Sequence, residues 1–218
     1  QRGRLTAEEV MERSIDLLDA VPYLRAYAGQ TFVVKVGGEL LLDPTWRDRV
    51  ARDVAVLHRL GILTVLVHGG GPQLDVALER SGIETERVAG RRITSRAAIE
   101  EAVREWRGSA SAQWVTALHK QGEAALGLSG ADAGLVQAVR RPPVVTTTDA
   151  GERVTVDYGY VGDISGIRTE VLRAVLDIQT IPVVSPLARG SEGDTLNVNA
   201  DTVAAQVAVA LGAAKLIL

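Results

Sequence analysis

Two short, nearly continuous apolar runs stand out in the first third of the chain. Residues 31–36 and 62–67 are rich in Val, Leu and Ile, as expected for strands buried on both faces of a sheet. Each run ends at glycines, and a segment of helical periodicity follows, at 45–60 after the first run and from Pro72 after the second. This repeated order of strand, glycine turn and helix predicts βαβ units in a parallel sheet, hence the α/β class.

Downstream of residue 90 the same patterns predict a second group of elements. Apolar positions at helical spacing predict helices at 95–106, 109–121, 168–179 and 199–211, with Gly108 separating the first two. Short apolar runs predict strands at 124–128, at 181–185 and from 215 onward. Residues 135–163 are rich in Val, Thr and Tyr with proline and glycine between them, which predicts β-hairpins rather than helix-linked strands.

The two ends of the chain differ from the middle. A capping box formed by Thr6 and Glu9 begins a predicted helix at 7–27, which Pro22 kinks or divides. We therefore expect an N-terminal helical arm at 1–28 and one domain at 29–218. The chain stops inside the apolar run at 215–218, where a buried strand would lack its partners, so we expect these residues to be part of a longer protein.

Composition narrows the function classes. The 24 basic and 27 acidic residues give a formal charge of -3, which argues against a broad nucleic-acid footprint but not against a small anion pocket. The chain has no cysteine, and its three histidines lack the spacing of metal ligands, so we expect no protein-held metal. No apolar run reaches the roughly 18 residues of a membrane span. A cytoplasmic protein without a membrane or nucleic-acid partner is expected.

Lys35 is the first candidate for chemistry because it stands near the end of an apolar strand, directly before Gly37 and Gly38. A buried ammonium group needs anionic partners, and open parallel sheets bind ligands at their carboxyl edge. One interpretation is therefore a lysine that neutralises a phosphate. The alternative is a strand-edge lysine whose ammonium reaches solvent, and the residues alone leave both open.

A run of three glycines, 69–71, lies between His68 and Pro72. Their N–H groups and the following helix N-terminus can form an anion site, and three consecutive glycines favour that interpretation over a structural turn. The loop has neither the Gly-Lys-Ser/Thr of a Walker A loop nor the Gly-x-Gly-x-x-Gly dinucleotide fingerprint. We interpret His68 as a hydrogen-bonded strand-end residue rather than as a base.

Two polar groups complete the candidates. Arg92, next to Arg91, can fork onto a carboxylate, although the residues alone favour a solvated arginine pair. Asn199 and Asp201 suit a helix N-cap and first turn, which is a sufficient structural explanation. However, Asn197 and Asn199 alternate and so face one side, and Asp201 is close enough to the sheet edge to orient Lys35.

Taken together, these segments resemble the amino acid kinase family, and within it the N-acetylglutamate kinases. The resemblance covers residues 15–218 in the expected order. The segments that carry it are LLDAVPYLRAYAGQTFVVKVGGELL (17–41), TVLVHGGGPQLD (64–75), GRRIT (90–94), ALGLSGADAGL (125–135), DYGYVGDI (157–164), IPVVSP (181–186) and NVNADTVA (197–204).

The resemblance implies a three-layer αβα sandwich with a mainly parallel central sheet. It also implies ATP with Mg²⁺ as co-substrate, N-acetyl-L-glutamate as acceptor, and an acyl phosphate product in arginine biosynthesis. An N-terminal lobe would bind the amino acid and a C-terminal lobe most of the ATP. We expect 29–218 to hold mainly the first lobe, because the chain ends before the family's second catalytic lysine.

The family roles carry over residue by residue. The resemblance makes Lys35 the catalytic lysine and Asp201 its organiser. It assigns the phosphates to Lys35 and to the backbone of Gly37, Gly38 and Gly70. It assigns the amino-acid substrate to Gly70, Gly71, Arg92, Asn197 and Asn199.

Four positions depart from the family pattern. Ser111 and Ala112 stand where members often have Asn and Lys, Arg91 replaces an apolar residue, and Ala131 replaces a frequent lysine. The arm resembles that of arginine-sensitive kinases, which predicts a homodimer, a hexamer through the N-terminal helix, and arginine as effector. Two alternatives stay open: a kinase-like regulatory or oligomerisation domain of an N-acetylglutamate synthase, and a kinase for carrier-bound aminoadipate.

Overall fold

The computed structural model describes residue 22 and residues 26–148 and 151–218. The predicted arm at 1–28, with its helix at 7–27 and its capping box, lies almost entirely outside these residues. None of the helices in the described ranges has the length and apolar character needed to cross a membrane.

The described residues contain both helices and strands. The helices are α1 (Glu39–Leu42), α2 (Pro44–Arg59), α3 (Gly71–Arg80), α4 (Arg96–Ala102), α5 (Ser111–Lys120), α6 (Thr169–Asp177) and α7 (Ala200–Leu211). The strands are β1 (Thr31–Val36), β2 (Leu63–His68), β3 (Arg87–Val88), β4 (Arg91–Arg92), β5 (Ala125–Ser129), β6 (Val136–Arg140), β7 (Val144–Thr147), β8 (Arg153–Val156), β9 (Gly162–Ile167), β10 (Ile181–Ser185), β11 (Leu187–Gly190), β12 (Thr195–Asn197) and β13 (Lys215–Ile217).

The central sheet is parallel throughout and has the strand order β13-β1-β2-β10-β5. Val34 and Leu66, which are paired in register, point to one face and pack with Trp114 of α5. Val33 and Val65 point to the other face and pack with the side chains of α6 and α7. Helices therefore cover both faces, which confirms the predicted three-layer αβα sandwich.

A second, mixed sheet of order β12-β11-β6-β9 lies beside the central one. β6 and β9 are antiparallel, and the β7–β8 hairpin is inserted between them, which confirms the hairpins predicted at 135–163. The short β3–β4 hairpin and the strands β11 and β12 were not predicted, because two to four residues show no clear periodicity.

The predicted break at Gly108 is wrong. The helix continues from Arg96 to Lys120, with a π-helical segment at Val103–Ala110 joining α4 to α5. A glycine inside a helix costs only about 1 kcal/mol relative to alanine, so packing on both sides outweighs it. The π-helical turns shift the hydrogen bonds by one residue rather than breaking them, as is typical of segments near functional sites.

Two glycines provide a matched test of this packing. A Cβ at Gly130 would collide with the carbonyl oxygen of Leu187, whereas a Cβ at Gly108 meets nothing within 4 Å. Gly130→Ala should lower the free energy of unfolding by about 2 to 3 kcal/mol through overpacking. Gly108→Ala should raise it by about 0.5 to 1 kcal/mol through helix propensity. Urea denaturation measures both, and equal effects would contradict the packing described here.

Candidate active site

A cleft of about 610 Å³ opens at the carboxyl edge of the central sheet, where β1 and β2 end. Its walls are the glycine loops after these two strands, the β3–β4 hairpin, and the N-terminus of α7. All nine predicted site residues line it: Lys35, Gly37, Gly38, Gly70, Gly71, Arg92, Asn197, Asn199 and Asp201. The structure therefore brings together residues that are up to 166 positions apart in the sequence.

Lys35 lines this cleft and is paired with Asp201. Its Nζ is 2.8 Å from Oδ1 of Asp201, and its side chain is only 19% exposed. Lys35 shares the sheet face of Val33, which α7 covers, so the first turn of α7 places the carboxylate beside the ammonium group. This arrangement agrees with the prediction that Asp201 organises Lys35, and it does not fit a lysine directed into solvent.

The two glycine loops pack against each other by direct backbone contact. The N–H of Gly69 donates to the carbonyl of Val36 at 2.8 Å. A Cβ at Gly38 would lie 3.1 Å from the Cα of Gly70 and 2.9 Å from the Pro72 ring, so a side chain there would force the loops apart. Glycine is needed at this close approach, and the result is a concave backbone surface of the kind that binds anions.

Arg92 is almost fully buried, and its side chain is 7% exposed. Asp75 of α3 holds one guanidinium nitrogen at 2.7 Å and also accepts two hydrogen bonds from Arg87. The other terminal nitrogen of Arg92 is buried and has no protein partner in the described part of the chain. A buried donor without a partner is rare in native proteins, and the residue that carries it lines the cleft.

The two asparagines have different local roles. Asn199 caps α7, because its side-chain oxygen accepts a hydrogen bond from the N–H of Thr202 at 2.9 Å. Asn197 ends β12, and its amide donates to the hydroxyl of Thr94 at 3.2 Å. The structural interpretation of Asn199 is thus confirmed, and both side chains also line the cleft, as their alternation predicted.

Comparison with known proteins identifies the family. A sequence model described as "Amino acid kinase family" matches residues 30–218, nearly all of the chain that the structure describes. The chain belongs to the amino acid kinase family.

Curated relatives carry one name. A protein of Desulfitobacterium hafniense named acetylglutamate kinase is 39% identical over 208 residues, covering 95% of this chain and 70% of its own length. An acetylglutamate kinase of Myxococcus xanthus is 43% identical over 201 residues, covering 92% of this chain and 65% of its own. This amino acid kinase chain therefore spans about two thirds of the length of the curated relatives it matches.

Solved structures support the same fold. N-acetylglutamate synthase from Neisseria gonorrhoeae, complexed with coenzyme A and N-acetyl-glutamate, matches with a TM-score of 0.72 and 28% identity, over 92% of this chain and 43% of that chain. Giardia carbamate kinase matches with a TM-score of 0.56 over 87% of this chain and 71% of its own, and at 16% identity it supports the fold alone.

The positions that depart from the family pattern lie in different places. Ser111 and Ala131 do not line the cleft, and Ala112 lines a separate surface groove on α5. Arg91 does line it. Ser111 is buried, and its hydroxyl is 3.3 Å from Nε2 of His68. The replacement at 111 therefore affects the support of the loop after β2 rather than the cleft wall itself.

Sequence reasoning missed several residues of the site. Asp75 positions Arg92, Gln73 and Trp106 contact the glycine loops, and Arg141 lines the cleft. Trp106 stands at a helical position where an aromatic residue is usually part of the core. The sequence did contain a signal that Gln73 and Asp75 belong to the site. Both lie in the first turns of a helix that starts at the predicted glycine anion site, and those turns are close to that site.

His68 is fully buried on the opposite face of the sheet from Lys35, and both ring nitrogens have partners. Nδ1 donates to the carbonyl of Gly69 at 3.0 Å, since a carbonyl only accepts, and Nε2 therefore accepts from Ser111. Burial lowers the pKa of His68 to about 4, against a smaller upward effect of the Gly69 hydrogen bond. The imidazole is therefore neutral at physiological pH, as expected for a structural residue.

This low pKa predicts a specific pH dependence of stability. Below pH 6.5 the unfolded chain binds a proton at His68 that the native state does not bind until about pH 4. The free energy of unfolding should therefore fall by about 3 kcal/mol from this group as the pH drops from 7 to 4. His68→Gln should lack this contribution. The free energies of unfolding of the two proteins, measured by urea denaturation, should therefore approach each other as the pH falls from 7 to 4. Parallel curves would contradict the buried neutral imidazole.

Proposed function

We propose that this chain binds N-acetyl-L-glutamate in its cleft and contributes Lys35 to ATP-dependent phosphorylation of the γ-carboxylate, as an acetylglutamate kinase of arginine biosynthesis. The observation that carries the proposal is the Lys35–Asp201 pair, set between glycine loops and the buried, partly unpaired Arg92. Relatives of that name at 39–43% identity support the choice of substrate.

The reaction needs charge neutralisation more than proton transfer. The nucleophile is already a carboxylate, so its oxygen attacks the γ-phosphorus directly and the bond to the β,γ-bridging oxygen breaks with its electron pair leaving on ADP. Lys35 would neutralise the transferring phosphoryl group, and N–H groups of the glycine loops would bind its oxygens. Asp201 would hold the ammonium in place. Mg²⁺ would arrive on the phosphates of ATP as part of that substrate.

The acceptor would bind to other residues of the same cleft. The guanidinium of Arg92 would bind the α-carboxylate of acetylglutamate, while Asp75 holds it in place through an ion pair. Asn197 and Asn199 would contact the acetamido side, since both line the cleft. This arrangement leaves the γ-carboxylate directed at Lys35 and the glycine loops.

Several finer expectations belong to the same proposal. These are the division into a substrate lobe and a nucleotide lobe, the homodimer, the hexamer through the arm at 1–28, arginine as effector, and a cytoplasmic location. They follow from the resemblance to arginine-sensitive kinases. Measuring activity against added arginine tests the effector, and a flat response would remove it.

A synthase-type domain is the second candidate, because the gonococcal synthase shares the fold with a TM-score of 0.72. The Lys35–Asp201 pair favours the kinase, since a domain that only senses a ligand has no need of a phosphoryl-transfer lysine. The sequence identity of 39% to the acetylglutamate kinase of Desulfitobacterium hafniense, against 28% to the synthase, also favours the kinase. The natural protein should form a hydroxamate-trapped acyl phosphate from ATP and acetylglutamate; acetyl transfer from acetyl-CoA instead would favour the synthase.

Lys35→Ala is the first test of the proposed chemistry. Turnover of the natural protein in the hydroxamate assay should fall by about 10² to 10³, because the ammonium acts on charge that develops in the transition state. The KM for acetylglutamate should change little. Lys120→Ala, which removes an exposed lysine outside the cleft, should keep full turnover. Unchanged turnover in the Lys35 variant would overturn its assignment.

Arg92→Ala tests the acceptor site separately. The KM for acetylglutamate should rise by about 10- to 100-fold, because a charged hydrogen bond to the substrate carboxylate is lost. Arg92→Lys should recover only part of the loss, since lysine lacks the planar fork. Arg52→Ala, an exposed change on α2, serves as the control. An unaltered KM in the Arg92 variants would show that acetylglutamate binds elsewhere.

A further inference from the structure

Trp106 holds the glycine loop after β2 in place through a hydrogen bond. The indole Nε1–H donates to the carbonyl of Gly70 at 2.7 Å, and the same carbonyl accepts the N–H of Leu74 at 3.0 Å. A carbonyl oxygen has two lone pairs, so both are in use and the Gly70–Gly71 peptide has little freedom to rotate. Trp106 itself is 4% exposed and belongs to the π-helical segment.

Trp106 also explains why residue 70 is a glycine. The φ of Gly70 is −168°, an extended value that any residue can adopt, so backbone strain does not require glycine here. The indole ring instead occupies the space where a Cβ of residue 70 would lie. The ring and the glycine are therefore complementary, and the loop rests directly on the indole.

Gln73 holds the loop after β1 in the same way. Its side-chain amide nitrogen donates to the carbonyl of Gly38 at 2.5 Å, and that carbonyl also accepts the N–H of Leu41 at 3.0 Å. Gln73 is buried and comes from the first turn of α3. One side chain thus connects the helix after β2 to the loop after β1, and both lone pairs of the Gly38 carbonyl are in use.

These carbonyl contacts determine where the neighbouring N–H groups point. In a planar trans peptide the C=O and the following N–H point in opposite directions. Fixing the carbonyls of Gly38 and Gly70 therefore directs the N–H groups of Glu39 and Gly71 the other way. Neither N–H donates to an acceptor within the described residues, and both residues line the cleft.

We propose that Trp106 and Gln73 are positioning residues of the anion site, which hold two peptide planes so that the N–H groups of Glu39 and Gly71 face the phosphoryl oxygens. Neither side chain needs to contact the anion. The identity of that anion as the transferred phosphoryl group rests on the proposed function. The inference that these N–H groups bind a phosphate-containing anion is independent of the proposed function.

Pyrophosphate binding to the 218-residue chain, measured by isothermal titration calorimetry, tests this proposal. Trp106→Phe keeps an aromatic ring and removes the donor, and Gln73→Met keeps a similar length and removes the amide. Each should weaken binding by about five- to tenfold, because a misdirected N–H loses a charge-assisted hydrogen bond. In the ¹⁵N-glycine-labelled chain, the Gly71 amide resonance should shift on addition of pyrophosphate in the wild type and shift less in Trp106→Phe.

Trp114→Phe is the matched control. Trp114 is fully buried, lies outside the cleft, and its Nε1–H has no hydrogen-bond partner in the described structure. It should bind pyrophosphate like the wild type. Equal weakening in the Trp106 and Trp114 variants would show a general packing effect and overturn the proposal, as would unchanged binding in Trp106→Phe and Gln73→Met. If one of these two variants does not fold, the other decides.

The outcomes separate this inference from the proposed function. A wild-type chain that binds no pyrophosphate overturns the anion site, whatever the hydroxamate assay of the natural protein shows. Normal kinase turnover together with unchanged pyrophosphate binding in the variants overturns the positioning role alone. Loss of acyl-phosphate formation in the wild type, with pyrophosphate binding intact and donor-dependent, overturns the kinase proposal alone.

Discussion

The arrangement of the cleft depends on one ion pair. The ammonium group of Lys35 emerges from a parallel strand whose neighbours are buried, and it lies 2.8 Å from the carboxylate of Asp201. A largely buried charge is costly without a partner, so the pair requires the start of α7 to stand beside the end of β1. The sheet order makes this possible, because β1 lies between β13 and β2 and α7 packs across its Val33 face.

Around this pair, the anion-binding surface is built mainly from backbone. The close approach of the loops after β1 and β2 excludes a side chain at residue 38, and the indole of Trp106 excludes one at residue 70. Buried donors from α3 and the π-helical segment fix the carbonyls of these two residues. Positive charge comes from Lys35 and from arginines anchored by Asp75. A chain of formal charge -3 can therefore hold anions, because local geometry rather than net charge determines the potential in the cleft.

Much of this could be predicted from the sequence, and the failures have physical causes. The strands at 31–36 and 181–185 are found at their predicted bounds, because buried parallel strands are continuous apolar runs with glycine or polar residues at their ends. The break expected at Gly108 is absent because packing outweighs a local propensity. The proposed positioning role of Trp106 could not be predicted from the sequence. It depends on a contact with Gly70, 36 residues away, and no local pattern encodes such a contact.

The proposed function requires this cleft to hold an acidic amino-acid substrate between Arg92 and Lys35. A crystal structure of the chain soaked with N-acetyl-L-glutamate tests it most directly. We expect density in the cleft, with the α-carboxylate on the guanidinium of Arg92 and the γ-carboxylate facing Lys35 and the glycine loops. Density for the substrate at another site, or a cleft that stays empty at saturating concentration, would contradict it.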